Sequence, residues 1–300
     1  MQNPKSIKVP KATRYQNAAI DYYMGLTNSS FLHYGYWEEL PAPGEELTIS
    51  SLRLAQEAYS IKLMGFIPEG VTTVLDVGCG IGGNAKYLSE GLPLGDRHQE
   101  DGSAKRHFLV EGLAPDSLQE TRFIENTQGK VPFYLSRFED FPPTKSYDLI
   151  LFSESSQYIS ADDLAQGASR LVTSGGYVLL ADMMRLDGEY KEGIFSNCQV
   201  KAELKTALEK AGFQLIKSED ISQSVAPTID LCINNFQTFG LTTGKYVADV
   251  LQIAVPPLHT LLNWAFKRWL EKPIVEGLAA RKIFENHLCY EIQLWQLANK

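Results

Sequence analysis

The chain has 300 residues, 44% hydrophobic and 21% charged, the balance of a globular protein able to bury a large core. Its formal net charge of −8 removes any general electrostatic reason to bind nucleic acid. The four cysteines (Cys79, Cys198, Cys232 and Cys289) are widely separated, so neither a zinc site nor a disulfide framework is expected. Met1 to Arg14 is polar with no apolar core of a secretory signal, and a cytoplasmic location is expected.

Helical patterning runs from Ala12 to Tyr23 and from Thr48 to Gly65, around an aromatic, turn-like insert, Asn28 to Trp37. From Thr72 onward, short apolar strands alternate with helices, the signature of a doubly wound sheet. The pattern predicts strands at Thr72–Val77, His107–Leu113, Val131–Leu135, Tyr147–Phe152, Gly176–Asp182, Phe213–Asp220 and Leu288–Leu297. Helices are predicted at Gly82–Glu90, Pro115–Asn126, Ala161–Leu171 and Gln199–Ala211, the last stopped by Gly212. Gly91 to Arg106 reads as a polar surface loop.

Residues 222–287 fit none of the sheet pattern but are rich in apolar side chains. Within them, Val247 to Leu270 contains Asp249, Pro256, Pro257, His259, Lys267 and Arg268, which argues against a bilayer-spanning helix. An amphipathic cap, or a surface that touches membrane, fits better. The expected fold is one α/β domain over residues 1–300, a doubly wound, seven-stranded mixed sheet.

The most informative stretch is Val74 to Gly83, where an apolar run meets Asp76 and then Gly78-Cys79-Gly80-Ile81-Gly82-Gly83. Glycines allow a sharp turn and close approach to a ligand. A G-x-G-x-x-G after a strand often seats a pyrophosphate on a helix N-terminus. Asp76, two residues before Gly78, would repel phosphate and suits a nucleotide-like ligand carrying positive charge. Gly78, Cys79, Gly80 and Gly83 form the expected cradle.

This arrangement resembles motif I of the class I S-adenosylmethionine-dependent methyltransferases, whose donor carries a sulfonium and an ammonium and no phosphate. The resemblance implies S-adenosylmethionine as cofactor, S-adenosylhomocysteine as product and a Rossmann-like methyltransferase fold. It also implies a helical lid at 12–65 and a helical cap at 222–287 over the active site. Phe108 to Gln119 is similar to the tocopherol and cyclopropane-synthase branch, with its G-[ILV]-T-L-S-x-x-Q pattern. Ala114 stands where many class I enzymes place a ribose-binding acid, and Gln119 matches the branch's ribose-reaching glutamine. Glu111 is the alternative. Phe138 and Glu139 match an aromatic-acid pair that flanks adenine and accepts its amino group. Phe31 to Trp37 resembles an H-[YF]-G-Y-W lid element, so His33 and Tyr34 are expected over the methionine end, where aromatic rings suit a sulfonium. Tyr15 and Tyr22 could join that cover.

Ser153 to Ile159, after the fourth strand, resembles the family's E-S-x-E-H pattern, with Gln157 in place of an acid and Tyr158 in place of histidine. Methyl transfer from a sulfonium is an in-line displacement governed by positioning, and a base helps only an acceptor that must lose a proton. His33 and Glu154 are the candidate bases. Gln157 and Tyr158 are placed to orient an acceptor, and Ser153 to border the cofactor. No metal-ligand cluster stands out.

The expectation is an enzyme of secondary metabolism that O-methylates a hydroxyl of a largely apolar natural product, with C-methylation of a quinol or isoprenoid as the alternative. The partner is a large, partly apolar small molecule, with no nucleic acid; peripheral membrane contact is possible but not expected. A binding protein without turnover would explain Ala114, Gln157 and Tyr158, but leaves the Asp76 and glycine set without a purpose. Asp76 and Ala114 also disfavour a nicotinamide oxidoreductase.

Overall fold

The computed structural model describes residues 24, 25, 27, 29–38, 46–91 and 106–299. The predicted helix Ala12–Tyr23, with Tyr15 and Tyr22, and most of the predicted loop Gly91–Arg106 lie outside the described residues.

Helix α1 (Ile49–Met64) starts at Thr48, whose side chain accepts from Ser51 N in a capping box. It leads to β1 (Thr73–Val77), which lies between β2 (Leu109–Ala114) and β4 (Tyr147–Ser153) in parallel register. β3 (Phe133–Leu135) flanks β2, and β5 (Val172–Arg185) flanks β4. The last strands, β7 (Phe213–Asp220) and β8 (Leu288–Leu297), complete the order β3-β2-β1-β4-β5-β8-β7. β8 runs antiparallel to both its neighbours, so the sheet is mixed, as expected. Helices α2 (Gly83–Glu90), α3 (Ser117–Thr127), α4 (Ala161–Leu171) and α5 (Lys201–Lys210) make the crossovers.

The central strands are apolar on both faces because helices cover both. On β4, Leu149 and Leu151 enter one core, while Ile150 and Phe152 enter the other. The chain winds outward from β1 to β3, then returns to β4 on the other side of β1. That reversal opens a crevice at the carboxyl ends of β1 and β4, where ligands of such sheets bind.

Most predicted boundaries shift by two residues or fewer, and two of the differences have a clear physical reason. β5 is longer than Gly176–Asp182, because β8 pairs with it from Tyr177↔Gln296 to Arg185↔Leu288. The predicted helix start at Gln199 is instead a two-residue strand, β6 (Gln199–Val200), beside β5. Gln199 Nε2 donates to the carbonyls of Ser156 (2.9 Å) and Ile159.

Residues 222–287 form α6 (Ser222–Asn235), a π-turn (Phe236–Leu241), α7 (Thr242–Ala254), α8 (Pro256–Trp269), α9 (Glu271–Leu278) and α10 (Ala280–His287). α6 buries Val225, Ala226 and Ile229, and α10 buries Ala280 and Phe284. The π-turn, α7, α8 and α9 bury no residue. No described helix is long and apolar enough to cross a membrane.

Candidate active site

A cavity of about 900 Å³ opens at the crevice. Its walls come from the insert (Leu32, His33), the β1 turn (Asp76 to Ile81), the β2 end (Ala114 to Gln119), the loop after β3, and the segment after β4.

The β1 turn is held by protein on both sides. Gly78 has φ +70° and donates to Leu113 O at 2.8 Å, and a Cβ there would lie 2.3 Å from Ser155 Cβ. Ser155 Oγ donates to Val77 O at 2.6 Å, clamping the turn to the segment after β4. At Gly83 a Cβ would meet Ser30 O at 2.6 Å, so this glycine clears room for the insert's backbone. Both glycines also line the cavity. The Cβ of a residue at Gly80 would lie 3.2 Å from Leu32 Cδ1, again in the insert. Cys79 is buried, and burial pushes its thiol well up.

Asp76 lines the cavity while being only 2% exposed, and its Oδ2 has no hydrogen-bond partner. Burial alone pushes its carboxyl up to about 7. A buried carboxylate oxygen without a donor is costly unless a ligand supplies one.

Ala114 ends β2 and lines the cavity without a polar group. Asp116, two residues later, is buried, lines the cavity, and caps α3 by accepting from Leu118 N (2.8 Å) and Gln119 N (3.0 Å). Gln119 is half-buried on the cavity wall. Glu111 faces away from it, accepting from Tyr147 Oη at 2.6 Å and pairing with Lys145. The Glu111 alternative is therefore set aside.

Phe138 and Glu139 both line the cavity. Phe138 is 3% exposed and packs edge-on against Phe152 with centroids 5.2 Å apart, so much of its ring serves the core. Glu139 pairs with Arg137 at 2.8 Å.

His33 and Glu154 both reach the cavity. The His33 ring stacks on Tyr59 with centroids 4.2 Å apart. Its Nδ1 lies 2.8 Å from Tyr34 O, which can only accept, so Nδ1 carries the proton. Burial lowers its pKa to about 4, leaving a neutral ring and a poor base. Tyr34 is a correction: its ring packs against Tyr290 (centroids 6.0 Å) and it is absent from the cavity wall. Its backbone instead donates to Glu154 Oε1 at 2.8 Å.

Glu154 has φ +55°, an uncommon backbone state for a residue with a side chain. Its N–H continues the sheet ladder to Ala181 O at 2.9 Å while its carboxyl turns into the site. Tyr290 Oη donates to Glu154 Oε1 at 2.8 Å and lies 2.9 Å from Tyr59 Oη. Burial raises Glu154 to about 8, against the two hydrogen bonds that pull it down.

Ser153 lies on the wall within hydrogen-bond distance of Tyr59 Oη (3.2 Å) and Asn84 Nδ2 (3.3 Å). Gln157 and Tyr158 line the outer wall on a short 3-10 turn. That turn is anchored by buried Asp182, which accepts from Ser156 N (2.9 Å) and Ser156 Oγ (2.6 Å). Gln157 Oε1 accepts from Asn197 Nδ2 at 3.2 Å. The segment 222–287, expected to cap the site, contributes no residue to the cavity wall. α6 braces the insert instead, with Trp37 Nε1 donating to Thr228 Oγ1 at 2.8 Å.

No family model matches the chain. An O-methyltransferase of Pyrenophora dematioidea is 25% identical over 251 residues, 78% of this chain and 85% of the relative. The cyclopropane synthase MmaA2 of Mycobacterium tuberculosis superposes with a TM-score of 0.63 at 14% identity, covering 97% of this chain and all of that one. The [4+2]-cyclase SpnF superposes with a TM-score of 0.66 at 15% identity, covering 100% and 98%. The chain has the fold of the class I S-adenosylmethionine-dependent methyltransferases, is similar in sequence to several methyltransferases, and resembles the cyclopropane-synthase-like enzymes.

Three residues of this site escape the motif reading. Asp116 carries a signal, an acid just before a helical run, which marks an N-cap. Tyr59 and Tyr290 carry none, since each is one apolar-periodic residue of α1 or β8 and meets Glu154 only in three dimensions.

Proposed function

We propose that this methyltransferase transfers the methyl group of S-adenosylmethionine to a neutral hydroxyl of a partly apolar small molecule. The observation that carries this reading is the charge of the cavity wall. Asp76, Asp116, Glu139 and Glu154 all reach it, whereas Arg137, the one Lys or Arg on the described wall, is paired with Glu139. Such a wall suits a cationic donor and disfavours a carboxylate or phosphate acceptor, which would find no free cation.

The residues present fit the donor. Asp76, with its unpartnered Oδ2, would accept from a cationic or hydroxyl group of the donor, and Asp116, Gln119, Phe138 and Glu139 would hold its nucleoside end. His33, Gly78, Gly80 and Ser153 would border its methionine end, with Cys79 and Gly83 shaping the turn. When bound, the donor supplies an electrophilic methyl carbon open to in-line attack.

The remaining work falls to the chain. Leu32 and Ile159 supply apolar wall, while Gln157 and Tyr158 orient the acceptor and limit its approach to one direction. Glu154 accepts the hydroxyl proton, because its carboxyl is pinned by Tyr34 N–H and Tyr290 Oη and titrates near working pH. His33, held neutral with Nδ1–H committed to a carbonyl, shapes the site and leaves proton transfer to Glu154.

The test offers isotopically labelled donor with neutral apolar alcohols, matched carboxylic acids and quinols, followed by fragmentation mass spectrometry. Label on an alcohol oxygen is the expected result. Label on carbon would assign C-methylation, and label on carboxylates alone would contradict the charge argument.

A further inference from the structure

Large apolar side chains usually end in a core, yet the helices between α6 and α10 keep theirs in solvent. Ile253 is 85% exposed, Tyr246 69%, Phe239 67%, Trp269 63%, Leu261 58% and Trp264 53%. Isolated exposed apolar residues need no explanation, but a run over three successive helices marks a contact surface. Both ends of this run are fixed to the body: α6 by its buried face and the Trp37–Thr228 bond, α10 by Ala280 and Phe284. The exposed helices therefore lie between two helices that are packed on the body.

We infer that α7, α8 and α9 form a docking face for an anionic lipid surface. The argument rests on where the charges fall. The chain as a whole is acidic, at −8, yet Lys267, Arg268 and Lys272 cluster where α8 passes into α9. This basic group adjoins the two exposed tryptophans, whose rings are 5.7 Å apart, and the Arg268 guanidinium sits 5.6 Å from the Trp264 ring. Lys245 and Asp249 balance on α7, and on α9 Lys272 lies beside Glu271 and pairs with Glu276 at 3.8 Å, so the basic excess falls on the tryptophan end of α8, which carries Lys267 and Arg268 and no acid.

Tryptophan beside Lys and Arg on a helix with an apolar face is the composition that seats helices in the plane of a headgroup layer. The helices are too short and too charged to cross it. An acidic body repelled by the same surface would leave this face as the one that can approach. A second copy of the chain seated on this face is the other occupant, and the test distinguishes it by a change in oligomeric state. The inference is independent of the methyl acceptor.

The test floats the full chain with vesicles of phosphatidylcholine alone, or of equal phosphatidylcholine and phosphatidylglycerol. Two variants accompany it, W264S/W269S and K267E/R268E/K272E, each checked for folding by calorimetric binding of S-adenosylhomocysteine. Unaltered chain should partition into the anionic vesicles about tenfold better than into neutral ones. The tryptophan pair should lose about tenfold on both, and the charge-reversed variant should lose the preference between them. The inference is overturned if unaltered chain stays unbound with anionic vesicles, or if both folded variants bind as it does. It is also overturned if sedimentation shows a dimer that the tryptophan pair abolishes, with no vesicle binding.

Discussion

The Tyr290 hydroxyl donates to Glu154 Oε1 across 2.8 Å, tying the last strand to the end of the fourth. Glu154 sits on the cavity wall, so this bond sets both the aim and the acidity of the proposed proton acceptor. Glu154→Gln should lower kcat by about 10²–10⁴-fold, the usual contribution of a positioned general base. Steady-state kinetics with a neutral alcohol acceptor measures this, and an unchanged kcat would remove Glu154 from the chemistry.

The same group predicts a pH profile. Glu154 titrates at about 8 and acts only when ionised, so kcat/KM should rise from pH 6.5 and level off above that pKa. Tyr290→Phe removes a hydrogen bond that favours the carboxylate, so its limb should move to higher pH. A structural role for Tyr290 alone would lower the rate without moving the limb.

Asp76 predicts proton-linked donor binding. Its carboxyl is raised to about 7 by burial, and a cationic ligand would stabilise the ionised form. Donor affinity should therefore increase as pH rises from 6 to 8, with net proton release on binding. Calorimetry at pH 6.5 in buffers of different ionisation enthalpy reads that release directly.

Folding stability should show the opposite trend in ligand-free protein. The folded-state pKa values of Asp76 and Glu154 exceed their ordinary ones, so the folded chain holds protons that the unfolded chain releases. Their contribution favours folding below about pH 4 and is lost as pH rises towards 7 and 8. His33 acts at the acid end: its lowered pKa costs stability as pH falls through the ordinary histidine range towards 4. Denaturant midpoints across pH should thus decline between pH 6.5 and 8, and added donor should offset the decline.

At Gly83, alanine would push its Cβ into Ser30 O, 2.6 Å away. Gly83→Ala should cost about 1–3 kcal/mol of stability, the usual cost of overpacking, and should weaken donor binding by displacing the insert. Thermal unfolding with and without S-adenosylhomocysteine separates the two effects.

The parallel core was legible because its signals are local. Apolar runs such as Val74 to Val77, a following glycine turn and the helix stop at Gly212 all lie within a few residues. The position of Asp76 at the end of β1, on the cavity wall, follows from the same local signal. Tyr34 misled because an aromatic lid motif gives no side-chain direction, and its ring turned to Tyr290. The Glu154–Tyr290–Tyr59 chain spans separations of 136 and 231 residues, beyond any periodic pattern. The apolar run at 247–270 could not declare its side of the protein, since hydropathy records composition and not what a helix packs against.

The central claim is that an unpartnered, buried Asp76 awaits a cationic methyl donor. Titration calorimetry of the folded chain with S-adenosylmethionine at pH 8 tests it, run beside Asp76→Asn. Saturable one-to-one binding is expected, weakened in the variant by about 2–3 kcal/mol for loss of a charge-assisted contact. No binding by the folded chain, or equal affinity in the two proteins, would contradict it.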